Sequence, residues 1–327
     1  MKTTRITLVA LIAGAAGFAF SSPFEIIVTE TLAGSNPNPG DWKGIQRYGF
    51  TDTGSSPTTL AGISAASLSD PAGLYFDGNE LFVGNRHGNS SASSISRFTF
   101  DWGTDSFVAN GTITGNGLFG VHGLALRPGT SDLWASNVNT GLSGFIVGPG
   151  SATANGTLLG GPKREVTFSA DGRYLYATEG VSGTLVKYDF VTATTSTFSI
   201  AGASGLHNAA WRGDHLFISD FSSQKVYDVA FDANGDVAGS SVAASVNGPI
   251  SVAFSPDNME MFVASHTSNK IDRFMFNTGT SAWDFSSSIA TGTNMGDIHV
   301  ISSVPEPASI AVLGLGALAM LRRRKKN

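Results

Sequence analysis

Between residues 70 and 290 short runs alternate apolar and polar side chains, and each run ends at Gly, Pro, Asn or Asp. Alternation with period two predicts strands. An apolar run, a tight turn and a second run carrying an aromatic recur five times, at Leu74–Val83, Leu124–Ala135, Val166–Ala177, Ala210–Ile218 and Val252–Val263. The residues between the paired runs, such as Asp77-Gly78, Pro128-Gly129, Asp171-Gly172, Gly213-Asp214 and Pro256-Asp257-Asn258, are those that short hairpin turns require. A third run follows each pair, at Ile95–Phe100, Leu142–Val147, Leu185–Phe190, Val226–Phe231 and Ile271–Phe276; the first and last read Ile-x-Arg-aromatic-x-Phe. A fourth, Ser/Thr-rich run comes next, as in Thr194–Ile200 and Val237–Ala244. Its polarity suits an exposed sheet edge.

The ends of the chain decide the count. Ile45–Phe50 is a further third run and Glu25–Glu30 can be its second, but no first run precedes them; Asp297–Ile301, after the fifth repeat, can supply it. The third-run positions Tyr48, Phe98, Phe145, Tyr188, Val229 and Phe274 are 41 to 50 residues apart, the length of a four-stranded propeller blade. The reading is an all-β, six-bladed β-propeller over residues 22–303, closed by strands from both termini. A pair of β-sandwiches would also place strands at regular intervals, but the constant phase of the repeat favours the propeller.

Two terminal segments stand outside this pattern. Lys2 and Arg5 precede an apolar stretch, Ile6 to Phe20, followed by small residues, which predicts a secretory signal peptide over residues 1–21. At the other end Pro305, Glu306 and Pro307 precede an apolar run, Ala308 to Leu321, and then Arg322, Arg323, Arg324, Lys325 and Lys326. The run predicts a transmembrane helix, and the basic cluster a cytoplasmic end. This order of motif, span and basic end, over 304–327, resembles the PEP-CTERM sorting signal of Gram-negative bacteria. The resemblance implies an exosortase-type membrane peptidase as partner, cleavage near Pro-Glu-Pro, transient anchoring in the inner membrane, and delivery to the cell surface or extracellular matrix.

Composition narrows the chemistry. The chain of 327 residues has 40 Gly, 41% hydrophobic and only 14% charged residues, which suits a turn-rich β fold and argues against a disordered or coiled-coil chain. With Cys 0, disulfides, thiolate metal sites and Cys nucleophiles are excluded. Removing the two tails leaves 13 basic against 24 acidic side chains, a net charge of −11. No basic stripe remains for a phosphate backbone, so nucleic acid is not an expected partner.

Val166–Ala177 and Pro249–Asp257 resemble repeats of the NHL, YVTN and gluconolactonase-like propellers. In such propellers the first strands line a central channel, and the loops entering the first strand and leaving the second surround one mouth. The second-strand ends are Asn85, Asn137, Glu179, Asp220 and Ser265, with His266 beside the last and Glu30 equivalent in the closing blade. Before the first-strand cores lie Gly73, Gly123, Glu165, Asn208, Ser251 and Asp297, with His122 and His207 one step further back. The expectation is that Asn85, Asn137, Glu179 and Asp220 meet near one mouth, together with Glu165, His207 or Asp297. An oxygen-rich ring of this kind can hold a divalent cation such as Ca²⁺, and the resemblance implies one, with Asn137, Glu179, Asp220 and Asp297 as ligands. Asn85, His122, Glu165, His207 and His266 are the other candidate ligand contacts. The chain lacks a Glu-Gly-Pro opening a first strand. Asp232–Asp236 has half the pattern of a Ca²⁺ loop and equally reads as a turn; Arg86-His87 and His215 are isolated candidates.

No Gly-x-Ser-x-Gly elbow or phosphate loop occurs. The functional expectation is an exported, surface- or matrix-sorted propeller acting as a non-catalytic binding or scaffold module for exopolysaccharide or surface proteins. The alternative is a metal-dependent, lactonase-like hydrolase at the channel mouth.

Overall fold

Among the described residues, the alternation becomes twenty-four strands in six four-stranded antiparallel sheets. The structure, a computed structural model, describes residues 23–30, 44–64, 68–291 and 294–302, and no helix occurs among them. The signal peptide, Pro305, Glu306, Pro307, the apolar run and the basic end lie outside the described residues.

Five sheets use strands in chain order. The sixth joins the termini: Met295–Ser302 pairs with Phe24–Glu30, which pairs with Gly44–Phe50 and then Thr58–Ile63. The closing register runs antiparallel from Phe24 opposite Ser302 to Glu30 opposite Met295. The repeat phase is also visible as register. Tyr48, Phe98, Phe145, Tyr188, Val229 and Phe274 each stand opposite the equivalent second-strand residue, namely Ile26, Leu81, Leu133, Leu175, Leu216 and Met261. The six-bladed propeller closed by strands from both ends is therefore the fold.

We number the blades from the closing one: blade 1 holds Phe24–Glu30, blade 2 begins at Pro71, blade 3 at Val121, blade 4 at Glu165, blade 5 at Leu206 and blade 6 at Pro249. The core is divided the same way. Six apolar clusters occur, each shared between two neighbouring blades. In Phe24–Glu30, Ile26 and Val28 pack towards blade 6 while Ile27 packs towards blade 2, because successive side chains of a strand leave opposite faces. Outermost strands such as Ser151–Leu158 are mostly exposed.

The basic residue of the Ile-x-Arg pattern ties blades together. Arg47 donates to Glu25 Oε2 of its own blade at 2.8 Å and, across the gap, to Asp105 Oδ1 at 2.6 Å and the Asp105 carbonyl at 3.0 Å. Arg97 forks onto both oxygens of Glu80 at 2.7 and 2.8 Å and reaches the carbonyls of Ser151 and Gly148 in blade 3. Lys187 crosses to Asp236 and Asn234 of blade 5. Arg273 donates to Glu260 at 2.5 Å, while the other Glu260 oxygen accepts the Gly54 amide of blade 1 at 2.9 Å. These cations are buried but paired, the condition under which a buried charge is tolerated.

Candidate functional site

The channel is lined by the first strand of each blade and is interrupted halfway by a polar belt. Asn208 sits at its centre. Its side-chain amide donates to Glu165 Oε2 at 2.8 Å and to Asp297 Oδ1 at 2.9 Å, and its Oδ1 accepts the Val252 amide at 3.1 Å. Asp297 also accepts from the Ser251 hydroxyl at 2.6 Å and from the Leu74 and Ile298 amides at 2.8 Å each. Val166 N donates to Glu165 Oε1 at 2.9 Å. Blades 2 and 3 contribute glycines at the same level: a Cβ on Gly123 would stand 2.5 Å from Glu165 Oε1, and one on Gly73 would stand 2.0 Å from the His122 carbonyl oxygen. The glycines thus admit the close approach that the larger belt residues require.

Both carboxyl groups are almost wholly buried. Burial pushes the Asp297 carboxyl up, and burial together with the nearby Asp297 pushes Glu165 well up. The pair favours holding a proton over carrying two negative charges.

Above the belt opens a cavity of 360 Å³. Its wall consists of the residue preceding each belt position, that is Ala72, His122, Arg164, His207, Ile250 and Gly296, one from each blade. Three hydroxyls secure this tier across blade boundaries: Thr29 donates to the Ala72 carbonyl at 3.0 Å, Ser136 to the Arg164 carbonyl at 3.0 Å, and Thr178 to the His207 carbonyl. The rim is formed by Arg86, Gly180, Phe221, Ser222 and His266. Gly180 is small for a reason: a Cβ there would come within 2.2 Å of Arg164 Cγ.

The mouth is cationic. Arg164 donates to His122 Nε2 at 2.7 Å, so that imidazole accepts and is neutral; burial first, then Arg164 and Arg86, hold its pKa well below the usual histidine range. Burial and Arg164 hold His207 down to about 3, and burial and Arg86 lower Arg164 itself. Arg86 is ion-paired with Asp70, yet its Nε is buried and makes no hydrogen bond among the described residues. His266 donates Nδ1 to the Met295 carbonyl at 2.9 Å. Phe221 stands beside His207 and His266, with ring centroids 5.8 and 6.2 Å apart. Fixed guanidinium charge against neutral imidazoles and an aromatic face suits an anionic ligand with an apolar or sugar-like body.

The sequence expectation meets this geometry in part. Glu165, Asp297, His122, His207 and His266 line the cavity. Asn85, Asn137, Glu179 and Asp220 do not, and the expectation that second-strand ends converge there is corrected. Each is used locally. Asn85 Oδ1 accepts the Ser69 amide at 2.9 Å, Asn137 Oδ1 the Phe119 amide at 2.9 Å and Asp220 Oδ2 the Ser204 amide at 2.7 Å. Glu179 pairs with Lys163 at 3.0 Å. A second-strand residue lies one strand outside the channel wall, and these side chains pin the loop entering their own blade's first strand. The next residue turns the other way, so Arg86, Gly180, Phe221 and His266 reach the mouth. Arg164 is absent from the expected set, although it occupies the same repeat phase as His122 and His207.

The residues expected to hold Ca²⁺ do not fit a shared ion. Asn137, Glu179 and Asp220 are committed to separate blades, and among the described residues no three His, Asp or Glu side chains gather as a metal group. In the half-pattern at Asp232, Oδ1 accepts the Asn234 and Asp236 amides at 2.8 and 2.9 Å, the bonding of a turn. His215 lies away from the mouth, 2.5 Å from Asp228.

Comparison with known proteins agrees with both parts of the chain. Residues 303–325 match the PEP-CTERM protein-sorting motif, so the chain carries a signal for export, transient membrane anchoring and exosortase processing. No curated protein sequence matches significantly. Among solved structures, the periplasmic gluconolactonase of Pseudomonas aeruginosa is 16% identical with a TM-score of 0.61, covering 86% of this chain and 100% of that one. A Bacteroides fragilis protein provisionally named a 6-phosphogluconolactonase is 16% identical, TM-score 0.62, over 86% and 98%. The nidogen/laminin complex gives 10% identity and a TM-score of 0.65 over 86% and 99%. At these identities the likeness is one of fold.

Proposed function

We propose that this exported propeller is a surface-sorted binding module whose cationic channel mouth takes carboxylate-bearing ligands, with the acidic sugars of a matrix polysaccharide as the ligand class. The observation that carries this reading is the pair Arg86 and Arg164 at the 360 Å³ mouth of an otherwise acidic domain. A buried guanidinium edge without a hydrogen-bond acceptor is costly, and a ligand carboxylate would supply it. The sorting motif, a signal for export and surface sorting, supports a ligand of this class.

Titration calorimetry of the full chain in detergent with oligouronates and with uncharged glucan oligomers of equal length tests the proposal. Binding of the acidic series alone is expected. Failure of every acidic oligomer to bind, or equal binding of the neutral ones, would overturn it. A lactonase-like hydrolase is the second reading, favoured by the buried carboxyl pair on the cavity floor, whose raised proton affinity suits a proton donor. Metal dependence adds no support to it, since the proposed ligands are dispersed. An ester and lactone panel, with and without added Ca²⁺, separates the two readings; binding without turnover is the expected result.

A further inference from the structure

We infer that the anchored precursor holds its acidic hairpin face towards the membrane and its cationic mouth away from it. The inference rests on where the chain leaves the propeller and not on what the mouth binds. The last strand starts at the mouth, where Met295, Gly296 and Asp297 line the cavity, and ends at Ser302, which lines a separate 410 Å³ cavity at the opposite end of the channel. Phe24 pairs with Ser302, so both described chain ends sit on that opposite face. The sorting motif begins at residue 303, directly after the strand.

The covalent reach is short. Five residues separate Ser302 from Ala308, the first residue of the apolar run, and the six Cα-to-Cα steps between them extend at most about 20 Å. Turning the mouth to the bilayer would require the tether to pass three strand spacings outward, about 14 Å, and then climb a six-residue strand, about 20 Å. That path of about 34 Å exceeds the reach, so the inverted orientation is excluded by length.

Charge acts in the same arrangement. The turns on the exit face carry the exposed Asp52, Asp77, Asp101, Asp171, Asp214 and Asp232, which an anionic membrane surface does not attract. The exit face is therefore kept near the membrane by tether length, without adhesion.

The absence of cysteine makes a direct test available. Single variants Asn79→Cys, on an exposed turn of the exit face, and Ser222→Cys, on the mouth rim, each carry one fluorophore. The uncleaved full chain is reconstituted into phosphatidylethanolamine and phosphatidylglycerol vesicles containing a headgroup nitroxide lipid. Several-fold stronger quenching at Asn79→Cys than at Ser222→Cys is expected, with the difference lost in detergent. Inserting about 20 Gly/Ser residues after Ser302, long enough to reach around the rim, should bring the two labels to similar quenching. Equal quenching in the native-length chain, or stronger quenching at Ser222→Cys, would overturn the orientation; a difference that survives the insertion would overturn the tether as its cause. Oligouronate binding is unaffected by either result, so this inference and the proposed function fail separately.

Discussion

Two sets of arginines occupy this propeller, and their surroundings differ in one respect. Between the blades, Arg47 and Arg97 meet a carboxylate of their own blade and oxygen acceptors of the next. At the mouth, among the described residues, the side-chain hydrogen bonds of Arg164 go to the His122 imidazole alone, and Arg86 leaves its Nε without an acceptor. Asp70 neutralises Arg86, so the difference lies in one nitrogen left without an acceptor, a feature that Arg273 Nη2 shares between the blades. A neutral imidazole is a weak counterpart to a guanidinium, and the shortfall is what a ligand carboxylate would fill.

The comparison breaks first if the interblade pairs prove dispensable. Glu260→Ala leaves Arg273 buried without its acceptor and takes the acceptor from the Gly54 amide, and an uncompensated buried charge costs about 3–5 kcal/mol. A lowered Tm is expected, with ligand affinity at the mouth retained in the folded fraction. Asn137→Ala is next: it strands the Phe119 amide at a cost of about 1–3 kcal/mol. Chemical denaturation should show that loss while oligouronate affinity stays the same, whereas a loss of affinity would return Asn137 to the binding set.

Arg164→Gln should do the reverse. Losing a charge-assisted hydrogen bond of about 1.5–3 kcal/mol weakens acidic-ligand affinity about 10- to 100-fold; Tm should hold steady or rise, because a desolvated cation has been removed. The smallest effect concerns pH. His207 and His122 are held neutral by burial and neighbouring cations, and a bound anion raises their proton affinity together with that of Glu165 and Asp297. Binding therefore takes up a proton, chiefly at the carboxyl pair whose Asp297 is pushed up to about 7, and affinity should tighten by a few fold as pH falls from about 8 to about 5. In the free protein the sign for folding is opposite for the histidines: a depressed pKa destabilises the fold as pH drops below the unfolded value of about 6.5. His207→Asn should flatten that acid limb of the Tm profile.

Much of the fold was legible in the residues themselves. Period-two alternation and turn residues identify strands, and a constant phase of 41 to 50 residues counts the blades. The missing first strand of one repeat, matched by a spare strand at the other end, is enough to infer closure, since a blade without its inner strand would leave a gap in the channel wall. The Ile-x-Arg pattern and its Lys187 variant recur in four of the six blades, where the cation solves the same packing problem against the neighbouring blade. The first-strand ring of Glu165, Asn208 and Asp297, and the histidines one step back, follow from repeat phase.

What the chain order left undecided is which polar side chains at the strand ends face the channel. Asn85 and Arg86 are adjacent, as are Asp220 and Phe221, and the pleat sends one of each pair into the loop of its own blade and the other into the mouth. A single residue of phase reverses that assignment, and both members are plausible ligands on chemistry alone. Only the closed ring settles it, because only there do the six blades fix the direction of each strand relative to the axis and bring Arg86, Arg164 and the imidazoles, far apart in the chain, around one cavity.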